Sequence, residues 1–242
     1  MKTMLKLGTF QSVLLALILT TLTSISASTP NHIATKAWQT ISADESSTLS
    51  ENSTFFIIRS DMRKCAAPMC GGYFVKQVNQ PTTRCVNGRN MAECYVADID
   101  WNGAPEVDAK QALVRGSLVT RGDRNGTYGT LKVSETWEAL SSDKPSGDYY
   151  RVRDLGIRCI AAPCETHSEF KLNTALAEKI AGVGLASNDG NPDALNQALK
   201  AMTGSEGVIV VGTNTTVTGP AGNKQTLKAT QFYRRKNLDL RS

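Results

Sequence analysis

The sequence predicts an α+β protein built from two tandem copies of a mainly antiparallel β unit, each with one short helix and stapled by disulfides. Three observations carry this. A cysteine loop occurs twice, as RKCAAPMC (Arg63 to Cys70) and IRCIAAPC (Ile157 to Cys164). Flanking segments recur in the same order: FFIIR (Phe55 to Arg59) as YYRVR (Tyr149 to Arg153), Asn79 as Asn173, and TLKVSETW (Thr130 to Trp137) as TLKATQFY (Thr226 to Tyr233). Short β-branched and aromatic runs joined by hairpin-length connections fill each copy, which is the pattern of antiparallel strands. Internal repetition is read first because it fixes architecture. It divides the chain into a signal peptide (1–27), a flexible linker or arm (28–52), repeat unit one (53–145) and repeat unit two (146–242).

The leader opens with Lys2 and Lys6, continues with the apolar run Val13 to Leu22 and ends in small residues at Ser24 and from Ser26 to Ser28. That run is too short to span a bilayer and has the layout of a cleavable export signal. No later stretch is long and apolar enough to cross, so no stable membrane insertion is expected after cleavage. The following arm is rich in Ser, Thr and Ala and offers little to bury beyond Trp38 and Ile41.

In copy one, Phe55 to Arg59 reads as a strand. The loop of Cys65 to Cys70 follows, and Gly71-Gly72 permits a sharp turn into a strand over Tyr73 to Val78. Asn87-Gly88 marks a turn between Cys85 and Cys94. Tyr95 to Trp101 alternates, with Tyr95, Ala97, Ile99 and Trp101 on one face, as a half-buried strand does. Pro105 to Leu113 reads as a short helix with Pro in its first turn. Ser117 to Thr120 and Thr130 to Trp137 are strands flanking the Gly-rich hairpin loop GDRNGTYG. In copy two, Tyr149 to Arg153 and the segment around Phe170 and Leu172 are strands. Asn173 to Leu185 reads as a helical turn and then a strand. Asn191-Pro192 starts a helix, with Asn as N-cap, and Leu195, Ala198, Leu199 and Met202 form its buried stripe. Val208 to Val211 and Thr226 to Tyr233 are the last strands.

The chain carries 27 Lys and Arg against 22 Asp and Glu. Loss of Lys2 and Lys6 with the leader leaves 25 against 22, a net +3. So mild a charge, with one basic cluster at Arg234-Arg235-Lys236, argues against a nucleic-acid partner. Six cysteines in an exported chain read as disulfides. The duplication favours Cys65–Cys70, Cys159–Cys164 and Cys85–Cys94, because only the first two cysteines of copy one have counterparts in copy two. Each short loop so closed is worth roughly 2–3 kcal/mol.

The cysteine loops are the candidate interaction sites: Ala66, Ala67, Pro68 and Met69 in copy one, Ala161, Ala162 and Pro163 in copy two. A Pro-stiffened, disulfide-braced loop is preorganised and loses little entropy on binding. Serine-protease inhibition by presentation of the Ala-Ala-Pro loops is the alternative, and a hydrolytic enzyme is a third. With His32 in the arm, His167 is the one histidine of the repeats, and no G-x-S-x-G precedes a candidate nucleophile. CxxxxC is not the CxxC of thiol oxidoreductases. No catalytic residue, cofactor or metal is therefore assigned. The tryptophans and tyrosines are read as core rather than as a sugar platform.

RSDMRKCAAPMCGGYFVKQVN (Arg59 to Asn79), ECYVADIDW (Glu93 to Trp101) and RDLGIRCIAAPC (Arg153 to Cys164) resemble an uncharacterised family of exported bacterial proteins, a domain of unknown function marked by RKC-x-x-P-x-C-G-G-Y-F-V. The likeness covers most of the chain after residue 53. It implies a bacterial, secreted or periplasmic protein and supplies no activity. The expectation is an exported, non-enzymatic binding protein whose partner is an unknown protein or cell-surface ligand.

Overall fold

The computed structural model describes residues 54–237, apart from 67, 109–111, 124–125 and 187–189. The signal peptide and arm read from the sequence lie outside the described residues. Fourteen strands and one helix are described in chain order. The first half holds β1 (Thr54–Ser60), β2 (Tyr73–Gln77), β3 (Thr83–Arg84), β4 (Asn90–Met91), β5 (Cys94–Val96), β6 (Asp98–Asp100), β7 (Ala112–Asp123) and β8 (Gly126–Ala139). The second holds β9 (Asp148–Asp154), β10 (His167–Lys171), β11 (Ala177–Ile180), β12 (Val183–Leu185), α1 (Pro192–Met202), β13 (Val208–Gly219) and β14 (Gly222–Arg235).

The expectation of an α+β chain with a helix in each of two tandem units is corrected. The protein is predominantly one large, mostly antiparallel β-sheet, and α1 is the single helix among the described residues. The helix expected over Pro105 to Leu113 is absent from its described part: residues 105–108 are irregular, and Ala112 and Leu113 already belong to β7. The helical turn expected after Asn173 is a plain turn leading into β11 and β12.

Hydrogen bonding orders the sheet β11-β10-β9-β13-β14-β8-β7-β1-β2-β5, and this path reads equivalently from either end. Two further pairings fold it back on itself. β6 pairs in parallel with β8, and β12 with β14. The chain hops between neighbours at Ala97, whose amide donates to the Gly129 carbonyl (2.8 Å), and at Ala181, whose amide donates to the Gln225 carbonyl (2.7 Å). Each half thus closes into a ring of five strands in the order first, second, third, fifth, fourth, first, with the third strand parallel to the fifth. OB-type barrels have this ring order. The hop breaks the expected alternation of Tyr95 to Trp101: Val96 and Ile99 both point into the core, because a one-residue slip reverses the side-chain face.

Glycines permit the bends that closure needs. β7 and β13 each carry a register shift, at Arg115/Gly116 and at Val211/Gly212. A Cβ on Gly116 would stand 2.3 Å from the Lys132 carbonyl oxygen, and one on Gly212 would stand 2.1 Å from that of Lys228. Only glycine lets the partner backbone so near.

Each ring has its own core. Phe56, Ile58, Val75, Val96, Leu131 and Val133 fill the first. Tyr150, Val152, Ile180, Val208, Leu227 and Phe232 fill the second, closed by Ala194, Ala198 and Met202 of α1. A third cluster lies between the rings: Phe55, Val78, Leu113 and Trp137 from one half against Tyr149, Leu172, Ile209 and Tyr233 from the other. β8 and β14 pair there, with Arg234 opposite Glu138. Asn79 and Asn173, both in the left-handed region, clasp the halves. The Asn79 amide donates to the carbonyls of Tyr149 (2.7 Å) and Leu172 (3.0 Å), and its oxygen accepts from the Tyr149 amide (2.9 Å). Asn173 does the same for Phe55 and Val78, each bond at 2.9 Å.

Candidate functional site

Both cysteine loops connect the first and second strands of a ring. The first runs from Asp61 to Gly72, where the Asp61 amide donates to the Gly72 carbonyl and pinches its base at 2.8 Å. Cys65 and Cys70 are disulfide-bonded with their Cα atoms 5.6 Å apart. Asp61 is buried and receives three donors from Arg63: the backbone amide (3.0 Å), Nε (2.9 Å) and Nη2 (2.7 Å). Those Arg63 side-chain bonds hold the carboxyl at about 2, well below the usual carboxylate range.

The loop stands on an aromatic–arginine face. Alternation along β2 puts Val75 in the core and Phe74 outside. Phe74 meets Tyr95 of β5 edge-on at 5.7 Å. The Arg59 guanidinium lies 4.0 Å from the Phe74 ring centre, and that of Arg63 lies 5.3 Å away. Arg59 also pairs with Glu93, Nε to Oε2 at 3.0 Å. The Tyr95 hydroxyl donates to the Pro68 carbonyl (2.9 Å), tying the loop tip to the sheet. The Met69 amide donates to the Ala66 carbonyl (3.0 Å), so this tip is a reverse turn. Ala67 lies outside the described residues. With the backbone so held, two large apolar side chains remain in solvent: Met62 is 84% exposed and Met69 70%.

The second loop runs from Leu155 to Thr166 and is posted differently. Cys159 and Cys164 are bonded, Cα atoms 6.2 Å apart. Asp154 accepts from the Gly156 amide (2.8 Å) and pairs with Arg158 (3.2 Å), whose bond lowers its pKa. Pro163 is buried against the tip of the β13–β14 hairpin. A Cβ at Gly219 would stand 2.7 Å from Pro163, and the Ala221 amide donates to the Ala162 carbonyl (3.2 Å). Ala161 and Ala162 are exposed, Ile160 is fully exposed, and Ile157 and Leu155 are partly so. The two loops therefore belong to separate rings: one is backed by a strand face, the other by a hairpin tip. The third disulfide, Cys85–Cys94, braces the β3–β4 excursion of the first ring.

Elsewhere, a groove of about 460 Å3 in the first ring is lined by Phe56, Leu118, Val119 and Val86 together with Gln77 and Arg84. Arg235 and Lys236 of the basic cluster face Glu206 and Glu138 at the junction of the halves. Among the described residues, no group of three or more His, Cys, Asp or Glu is placed to hold a metal ion. Trp137 is wholly buried in the central cluster. Sequence reasoning passed over the aromatic–arginine face. Its signal was available: alternation that places Tyr73 and Val75 on one side of β2 leaves Phe74 and Lys76 on the other.

No curated protein and no solved structure matches the chain. A family model described as a domain of unknown function, DUF6748, matches residues 54–238. Those bounds take in both rings, both cysteine loops and the clasp between them, so the chain belongs to the DUF6748 family.

Proposed function

We propose that this is an exported, non-enzymatic binding protein that engages its partner with the first cysteine loop and the face of β2 and β5 beneath it. The observation that carries this reading is Met62 and Met69, left in solvent on a loop held by a disulfide, the Asp61–Arg63 pair and the Tyr95–Pro68 bond. Exposed apolar side chains on a rigid frame lose little entropy when covered, which is what a binding surface requires. The ring order adds a fold-level analogy: OB-type barrels bind ligands across the second and third strands and the loops joining strands one to two and four to five. Here those parts are β2, β5 and the cysteine loop.

Export is supported by the apolar leader and by six cysteines paired in three disulfides, a state that oxidising compartments sustain. No helix among the described residues is long and apolar enough to cross a membrane. We read the two halves as copies of one β unit, on the recurring segments and the matching strand registers. Protease inhibition draws less support, since a substrate-like loop enters a protease cleft extended and the Ala66–Met69 segment is turned.

The test is chemical cross-linking of the exported protein to the surface components of its own cell, comparing wild type with a Met62→Ser/Met69→Ser variant. The reading predicts a cross-linked partner lost by at least tenfold in the variant at an unchanged urea midpoint. Equal capture by both proteins would refute it.

A further inference from the structure

The interior of the second ring contains a polar pair that the first ring does without. Glu169 of β10 lies between Val152 of β9 and Glu178 of β11. Val75 takes the corresponding place in the first ring, between Ile58 and Cys94. Asn214 of β13 pairs with Leu227, as Leu118 of β7 pairs with Leu131. An apolar pair serves the fold at these positions in one ring, so closure does not demand Glu and Asn in the other.

Glu169 is 4% exposed. The Asn214 amide Nδ2 donates to its Oε1, across the ring and between strands that are not neighbours. Two buried acceptors are then left without donors: Glu169 Oε2 and Asn214 Oδ1. Two such atoms on groups already in contact are costly when both are bare acceptors. One proton satisfies both. On Oε2 it turns an acceptor into a donor that Oδ1 can accept, which would let acid and amide close a ring of two hydrogen bonds. Exchanging the amide oxygen and nitrogen only moves that proton to Oε1, so the conclusion does not depend on how the amide is assigned.

We infer that Glu169 and Asn214 form a proton-dependent latch, a neutral acid–amide ring that ties β10 to β13 through the interior of the second ring. Its surroundings favour the neutral acid. Burial raises the Glu169 pKa, the Asn214 bond opposes this, and Glu178 from β11 raises it further. From β9, Asp148 and Tyr150 face the same cluster, and burial with Asp148, Glu169 and Glu178 nearby pushes the Tyr150 hydroxyl up to about 12. On β10 itself Lys171 is engaged by Asp148 at 2.6 Å, and His167, its pKa lowered by burial, bonds Thr166 at 2.8 Å. From β13 the neutral Asn214 is the contact. Because β10 leads directly out of the second cysteine loop, the proton also sets how firmly that loop's base is held. This inference is independent of the binding reading.

The linkage sign follows from a folded-state pKa above the unfolded one. The latch contributes fully below the unfolded glutamic value of about 4.3 and is lost as pH rises through the folded value. Two measurements on the full exported chain decide it. A carbon-13 titration of the Glu169 carboxyl should give a midpoint clearly above about 4.3, and one at or below that value overturns the latch. Urea unfolding across pH should show the unfolding constant rising by up to tenfold per pH unit within the window. Glu169→Gln keeps both hydrogen bonds without a titrating proton. It should lack that rise and be at least as stable as wild type above the window. A Gln variant less stable at neutral pH with an unchanged slope also overturns the latch. If this variant does not fold, the titration alone decides.

Discussion

Asn79 and Asn173 show what single residues contribute here. Each adopts a backbone conformation most side chains avoid, and each supplies three hydrogen bonds to the other half. Asn79→Ala removes those bonds and places a Cβ in the left-handed region without compensation. At about 1 kcal/mol per bond and about 1 for the backbone, we expect a loss of about 2–4 kcal/mol in urea unfolding. Asn173→Ala should cost about the same, and a loss confined to one of the two would show that the clasp is one-sided. The Asp61–Arg63 pair is read through acid. Its carboxyl pKa is depressed, so its stabilisation is present above the ordinary value of about 3.9 and is lost as pH falls toward about 2. Asp61→Asn should flatten the acid limb of the stability profile, and a limb that stays as steep would place the acid sensitivity elsewhere.

At the scale of elements, α1 starts and caps as its sequence directs, but its buried stripe is shifted: Ala194 is buried, Leu195 is half-buried and Leu199, expected inside, is exposed. Asn191 accepts from the amides of Asp193 (3.0 Å) and Ala194 (3.1 Å), Pro192 opens the helix, and Ala194, Ala198 and Met202 are buried. Asn191→Ala should cost about 1 kcal/mol and Met202→Ala about 2–5, read as shifts in the urea midpoint. The strands around Phe55, Tyr149 and Thr226 were equally legible, from β-branched and aromatic runs. The first-half helix was misread from Pro105 as a first-turn proline, and the recurrence of Gln111-Ala112-Leu113 as Gln197-Ala198-Leu199 in the true helix reinforces that reading. In register, however, Ala112 stands where Val208 does, next to the strand that opens each half. The likeness of those tripeptides is out of step with the fold. β7 and β13 also run further than expected. Glycines suggested an early turn in one, but the Thr-rich run Thr213 to Thr218 is strand-forming. Parallel closure left no trace in the sequence, since it rests on a hop at Ala97 and Ala181 that no propensity marks.

For the whole molecule, two rings share a central cluster and one strand junction. Trp137 sits in that cluster with no exposure, so Trp137→Ala should cost about 3–5 kcal/mol and lower the stability of both halves together. Loss confined to one half would mean that the rings fold independently. Of the candidate site, the sequence made the cysteine loops legible, because Cys and Pro spacing is local. The face beneath the first loop was legible only in part: alternation along β2 marks Phe74 as outward, but Phe74, Tyr95, Arg59 and Glu93 come together only when β1, β2 and β5 are laid side by side. The Glu169–Asn214 pair was hidden for the same reason. Closure of each half through β6–β8 and β12–β14 is what makes two rings of this chain. Native-state amide hydrogen exchange tests it directly at Ala97, Ala181 and Leu227, whose amides make the closing bonds to Gly129, Gln225 and Gly182. Closure predicts that these three exchange as slowly as the amides of the central strands β9 and β13. Exchange at the rate of loop amides, with the central strands still protected, would contradict it.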